Sequence, residues 1–436
     1  MKLLVFAHTP PPHHGQSYMV KLLLDGFGGD GRKQKSPTPD AYGIECYHVN
    51  ARFSKSLEDV GEFQGTKVFL ILFFCLQAIW CRFRYGVTTL YYVPAPGKTV
   101  AVYRDWLVMF LCRPFFKKII LHWHAAGLAK WLETSVQMRS RVITYRLFKP
   151  VDLSIVLSRY NFADAEKLLS RRITIVPVGV PDPCPQFAEN ILPKRHARAT
   201  ALKKILAGET PAGANSEKII SVLFLAHCTR GKGVFDTVAA VVLANEAAVA
   251  EKSQSRFRLT LVGGFASSHE EKELRDLVVQ RGLQDTVEIL GFVPAARKAQ
   301  MLTEADVFCF PTYYLAENQP GNLIEAMAYG LPIVTTRWRS LPEMLPPDYP
   351  GLVDPKSPEQ IAGALRLMAA SDFAAPLRDI FLRRFTLEQH LAGMAAAIRS
   401  VETDLIRPCN RKSKDEDDSK QLAVLDFMVS ETPRNR

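Results

Sequence analysis

A chain of 436 residues is too long for one ordinary hydrophobic core and points to about two or three domains. Its 47% hydrophobic and 23% charged residues exclude a disordered polyelectrolyte and describe a globular protein. The net charge of +11 belongs to the first half: residues 1–200 hold 27 Lys+Arg against 14 Asp+Glu (+13), residues 201–436 hold 28 against 30 (−2).

"MKLLVFAHTPPP" offers one lysine and five apolar residues, Leu3 to Ala7, too few for a secretory leader, and reads as a first strand. "HTPPPHHGQSYMV" then sets Gly15 ahead of a helix that begins near Gln16 or Ser17. The most apolar stretch, Val68 to Cys81, is about 14 residues long and contains Gln77, short of the ~20 that a bilayer span requires; it reads as a buried helix. "CRFRYG", "CRPFFKK" and "RSRVITYRLFKP" mix basic with aromatic or apolar residues. That composition suits an anionic membrane surface, nucleic acid or an acidic substrate, and equally a merely basic exterior. Cys75, Cys81, Cys112, Cys228 and Cys309 sit in apolar runs without close pairing, as thiols buried in a reducing cytosol do.

"ILHWHAAGL" places His122 and His124 two apart, on one side of a strand. Such a pair serves as part of a metal site, as hydrogen-bonded structural residues or as a substrate contact, and no further ligands stand at metal spacing. In "VDLSIVLSRYNFADAEKL", Ser158 is placed to cap a helix.

Short apolar runs alternate with helical stretches throughout: "KLLVFAH", "TLYYVPA", "KKIILHWH", "DLSIVLS" and "RITIVPVG", then "KIISVLFLAH", "RLTLVGG", "TVEILGF", "DVFCFPT" and "LPIVTT". Alternation of this kind predicts parallel sheets. The fold class is therefore α/β, two doubly wound parallel-sheet domains facing across a cleft, with ligands at the carboxyl ends of the strands. The predicted boundaries are a first domain at 1–192, a linker at 193–217, a second domain at 218–386, a helix at 387–406 that packs back on the first domain, and a disordered tail at 407–436.

In "AENQPGNLIEAMAYGLPIVTT" (316–336), Pro320 opens a helix of roughly Gly321 to Tyr329, and Gly330 closes it. Leu323, Ile324, Met327 and Ala328 share a buried face and leave Glu325 at its edge. An isolated glutamate there is ordinarily solvated or the partner of a cation. Following a strand's carboxyl end, however, the helix points its free amides into the cleft, where a phosphate binds. Glu325 then stands where a ribose would be, and Glu317 on the other side of the phosphate. Lys232, after "VLFLAHCTRGKG", supplies a cation at the opening of another helix.

Two glutamates seven residues apart followed by "EAMAYGLPIV", with Lys232-Gly233 and "LVGG" (261–264), resemble the retaining, nucleotide-sugar-dependent glycosyltransferases of the two-Rossmann-domain (GT-B) type, group 1 or family 4. The resemblance runs from about Lys2 to Ile406. It implies that Glu317 contacts the transferred sugar, Glu325 the ribose, and Lys232 the leaving diphosphate. Gln319, Pro320, Gly321 and Asn322 would border the diphosphate and sugar. Gly15 matches a loop glycine near the donor phosphates, and His124 a histidine facing the sugar, although Ala125 stands where a glycine is common. His227 replaces an expected arginine, for which Arg230 is the substitute. No Asp-x-Asp pair marks a strand end, so neither metal nor other cofactor is expected. The reading is a hexosyltransferase acting from a nucleotide-diphosphate sugar on a glycan or lipid-linked acceptor in surface polysaccharide synthesis. It would be cytoplasmic, in peripheral contact with an anionic membrane, and without a nucleic-acid partner. The alternatives are an epimerase of the same fold or a non-catalytic basic protein binding membrane or nucleic acid.

Overall fold

The computed structural model describes residues 1–11, 15–33, 42–53, 65–208 and 218–402. The predicted tail at 407–436 lies outside them, as do His13 and His14. Among the described residues, twelve strands form two six-stranded parallel sheets. The first holds β1 (Lys2–Phe6), β2 (Glu45–Val49), β3 (Thr89–Tyr92), β4 (Lys118–Trp123), β5 (Leu153–Val156) and β6 (Ile173–Ile175), in the order β2-β1-β3-β4-β5-β6. The second holds β7 (Lys218–Leu225), β8 (Ser255–Val262), β9 (Val287–Gly291), β10 (Val307–Phe310), β11 (Ile333–Thr336) and β12 (Leu352–Val353), in the order β12-β11-β10-β7-β8-β9. Both are doubly wound α/β sheets, as the alternating pattern predicts. All ten predicted runs are strands, and β2 and β12 are additional.

Helices cover both faces of each sheet, which is why most strands read as unbroken apolar runs rather than alternating ones. On one face of the first sheet lie α1 (Gly15–Gly26) and, from the far end of the chain, α9 (Leu387–Ser400). Val20 and Leu23 of α1 share a core there with Leu391, Met394 and Ile398 of α9. The other face is covered by α2 (Gly65–Tyr85), α3 (Thr99–Cys112) and α4 (Met138–Phe148), through Ile71, Cys75, Val108, Met109 and Phe148.

α2 departs from expectation. It is 21 residues long and apolar, yet among its described side chains only Ile71, Cys75, Ala78 and Cys81 are buried in the core, with Phe74 and Tyr85 partly buried against it. Phe69, Phe73, Leu76, Trp80 and Phe83 face outward, with Phe69 76% exposed. A helix apolar all round reads as buried from sequence, and here one side is uncovered among the described residues.

The predicted linker contains α5 (Leu192–Leu206). Arg195 on α5 is buried and donates to the carbonyls of Leu302, Ala305 and Tyr329, so this segment is packed into the second domain. The chain passes between the two sheets twice, and the passages lie side by side. Val180 donates to Phe385 O and accepts from Leu387 N, both at 2.9 Å. A Cβ on Gly179 would come within 2.4 Å of the Thr386 carbonyl.

Candidate active site

In a doubly wound sheet the crevice opens where the strand order reverses, because neighbouring loops there run to opposite faces. In the second sheet that point lies between β7 and β10. The loop after β7 carries Lys232 and leads into α6 (Val234–Ala250); the loop after β10 carries Glu317 and leads into α8 (Gly321–Ala328). The two loops are tied together: Gly231 O accepts from Tyr313 N at 2.9 Å. Gly233 takes φ +82°, and a Cβ there would lie 2.4 Å from Pro311 O, so only glycine allows this approach.

Lys232 Nζ lies 2.5 Å from Glu317 Oε2, directly across the switch point. The Thr312 hydroxyl donates to the same oxygen at 3.0 Å. The rings of Tyr314 and Phe310 stand 4.9 and 5.4 Å from the ammonium. Glu317 is only 7% exposed, so its charge requires this partner. Burial, and then the charge of Glu317, push the Tyr314 phenol above its ordinary pKa, keeping it neutral.

Glu325 lies one helical turn into α8, whose other core-facing residues, Leu323, Ile324, Ala326, Met327 and Ala328, are fully buried. Its carboxylate pairs at 2.6 Å with Lys298 of α7 (Ala295–Glu304), the helix after β9. Pro320 caps α8 in an extended conformation. The amides of Gly321 and Asn322, first in that helix, have no protein acceptor among the described residues. The Asn322 side chain donates to Leu225 O at 2.6 Å and accepts from Leu323 N at 2.8 Å, fastening α8 to the end of β7.

The other predicted positions are less direct. Arg230 turns away from Lys232: it pairs with Glu273 at 2.5 Å and stacks over Phe235 at 4.0 Å. Gln319 commits its amide to the first domain, donating to Leu157 O at 2.7 Å and accepting from Val178 N at 2.9 Å. Gly15 is the first residue of α1, and a Cβ on it would meet nothing within 4 Å. Ser158 donates to Asn161 Oδ1 at 3.3 Å and makes no side-chain cap bond.

His124 follows the end of β4, half-buried, with the Asn318 amide 3.5 Å from its carbonyl. Its ring lies 4.2 Å from that of His122, on the same side of the strand. Burial, with His124 and His390 nearby, holds His122 well below its usual pKa, and Tyr91 shares a hydrogen bond with its Nδ1. Among the described residues, no three His, Cys, Asp or Glu side chains are grouped to hold a metal ion.

Several contributors carry no sequence signal. Lys298 is one lysine on an amphipathic helix. Asn161 accepts from Asn318 at 2.7 Å; Glu343 takes the amides of Arg159 and Tyr160, both at 2.9 Å; Arg339 donates to Ala126 O at 2.9 Å. Together with Gln319 they draw the loops after β10 and β11 against the first domain, around His124.

Residues 210–381, which hold Lys232, Glu317 and Glu325, match the family described as Glycosyl transferases group 1. The second domain is thus similar in sequence to the group 1 glycosyltransferases. The chain is also 33% identical over 156 residues to the putative colanic acid biosynthesis glycosyltransferase WcaL of Escherichia coli (strain K12), covering 35% of this chain and 36% of that protein. It is 26% identical over 181 residues to the amylovoran biosynthesis glycosyltransferase AmsK of Erwinia amylovora, covering 40% and 42%. These matches span well under half the length of either relative.

Similarity of fold extends further than similarity of sequence. The sucrose-phosphate synthase of Thermosynechococcus elongatus superposes with a TM-score of 0.60 at 18% identity, over 92% of this chain and 100% of that one. Anabaena HepE, solved in complex with UDP and glucose, gives 0.58 at 14%, over 91% and 99%. The whole chain therefore has the two-Rossmann-domain architecture of these structures, while the sequence match lies in its second half.

Proposed function

We propose that the protein transfers a hexosyl unit from a nucleotide-diphosphate sugar to a glycan or lipid-linked acceptor, with retention of anomeric configuration, in the synthesis of a surface polysaccharide. The observation that carries this reading is the Lys232–Glu317 pair across the switch point, beside the open amides of α8. The names of WcaL and AmsK support the polysaccharide, and the UDP complex of HepE supports the donor class.

Departure of a nucleoside diphosphate concentrates negative charge on the leaving oxygens, and fixed donors aimed at that charge lower the barrier. Lys232 and the amides of Gly321 and Asn322 are such donors. Glu317 has one oxygen taken by Lys232 and Thr312; the other is assigned to a sugar hydroxyl. Glu325 accepts from the ribose, oriented meanwhile by Lys298. In the retaining reaction the departing phosphate takes the acceptor's proton, so no protein base is assigned. With cationic side chain and amides on the diphosphate, turnover is expected to persist in a chelator.

Screening UDP-, GDP- and ADP-sugars for protection against heat identifies the donor, and release of nucleoside diphosphate with the product's anomeric proton coupling tests the reaction. No protection by any of them, or an epimerised nucleotide sugar formed without acceptor, overturns the proposal.

A further inference from the structure

The outer surface of the α2–α3–α4 layer has no use in the reading above. α2 contacts α3 and α3 contacts α4, and all three rest on the same face of the first sheet. Their outward side is apolar. Phe69, Phe73, Leu76, Trp80 and Phe83 are spaced four, three, four and three residues apart, one continuous stripe along α2, each more than half exposed. Phe110 on α3 is 65% exposed and Met138 at the start of α4 76%. The Phe83 ring meets Phe115, just beyond α3, at 6.0 Å, which joins the patches of the two helices. Single exposed apolar residues are ordinary; an aromatic face continuous across neighbouring helices marks an interaction surface.

Charge identifies the occupant. Between residues 65 and 132 there are nine Lys+Arg and one acidic residue, Asp105. That aspartate is 1% exposed and held by Arg104, the Tyr92 hydroxyl and the Ala95 amide. The α2 and α3 part of the face therefore presents no acidic side chain, and Glu133, ahead of α4, is paired with Lys167, while Arg84, beside Phe83, and Lys117, two residues beyond Phe115, are exposed. Two copies meeting here would set these cations against one another. An anionic surface with an apolar interior complements both the aromatic stripe and its basic border.

We infer that this face docks on an anionic lipid bilayer, with α2 lying in the plane of the interface. The opposite stripe of α2, Ile71, Cys75, Ala78 and Cys81, is fixed to the sheet, so the helix cannot be surrounded by lipid and does not span. Immersion stops where the protein body begins, about 5–10 Å below the headgroups. The inference stands independently of the transfer reaction, because vesicle binding needs no donor.

The full chain is sedimented with vesicles of phosphatidylcholine alone or containing roughly 30 mol% phosphatidylglycerol. Binding to the anionic vesicles is expected, weakening as salt is raised, with a blue shift of tryptophan emission that Trp80→Phe abolishes without loss of binding. Phe73→Asp with Phe83→Asp is expected to lower the bound fraction at least tenfold, and Arg84→Glu with Lys117→Glu severalfold, while circular dichroism stays unchanged because all four side chains are outside the core. Indifference to anionic vesicles overturns the inference. So does a dimer in light scattering that Phe73→Asp dissociates when no vesicle binding is found.

Discussion

At the carboxyl edge of the second sheet, charged side chains are partly buried, Glu317 almost wholly, and each has its counter-charge: Lys232 with Glu317, Lys298 with Glu325. On the outer layer of the first sheet, phenylalanine and tryptophan stand exposed, with nothing among the described residues over them. Either arrangement is costly by the ordinary rules of folding, since charge resists burial and apolar surface resists exposure. The two regions deal with that cost differently. The edge offsets it internally, with partners drawn from neighbouring strand–helix units, whereas the outer layer leaves it open to a partner outside the chain. Substitutions should therefore destabilise the first region and pass almost unnoticed by the fold in the second.

The largest effect is expected at the edge. Lys232→Ala removes a donor from the leaving group and leaves Glu317 without its cation, so steady-state turnover is expected to fall roughly 100- to 1,000-fold. Wild-type turnover would remove Lys232 from the reaction. Gly233→Ala, which touches no charge, is expected to cost about 1–3 kcal/mol in urea unfolding, because alanine must hold φ +82° against the Pro311 carbonyl. An unchanged midpoint would show that the switch-point loops can move apart.

Acid should find a weak point between the two regions, at His390 on α9. Burial depresses its pKa from 6.5 to about 4, although a bond between its Nδ1 and the Pro177 carbonyl, 2.6 Å long, opposes the shift. The ring is neutral when folded and takes up a proton on unfolding below pH 6.5. Its stabilising contribution is thus complete above 6.5 and lost as pH falls toward 4. At pH 5 the loss is about 2 kcal/mol relative to neutrality. Urea midpoints at pH 7 and 5 measure it, and His390→Gln should shrink the difference by about that amount, leaving the part due to His122, which burial also holds below its usual pKa.

The smallest effect tests the other side of the comparison. Phe69→Ser on the outer layer should change unfolding free energy by no more than about 0.5 kcal/mol. A larger loss would place that ring in the fold's own packing.

How far all this is legible in the sequence depends on whether a feature repeats. The strand runs are legible because both faces of each sheet are covered. β2 is not, since Glu45 and His48 break its apolar run, nor is β12, which has two residues. Glu317, Glu325 and Lys232 stand out through their spacing around turns. Lys298, Asn161 and Arg339 do not, because each is one polar residue on an element distant in sequence, brought to the site only by the fold. α2 misleads for a related reason: composition records that a helix is apolar, not which of its sides has a neighbour.

The paired passage at Val180 and Thr386 bears on how the halves can move. Halves joined by one strand are free to twist as well as to bend. Here two backbones are stitched by hydrogen bonds, and Gly179 sits too close to its neighbour for them to slide. Twisting would break that stitch, while folding along it would not, so the paired backbones form a spine about which the two halves can hinge like the covers of a book.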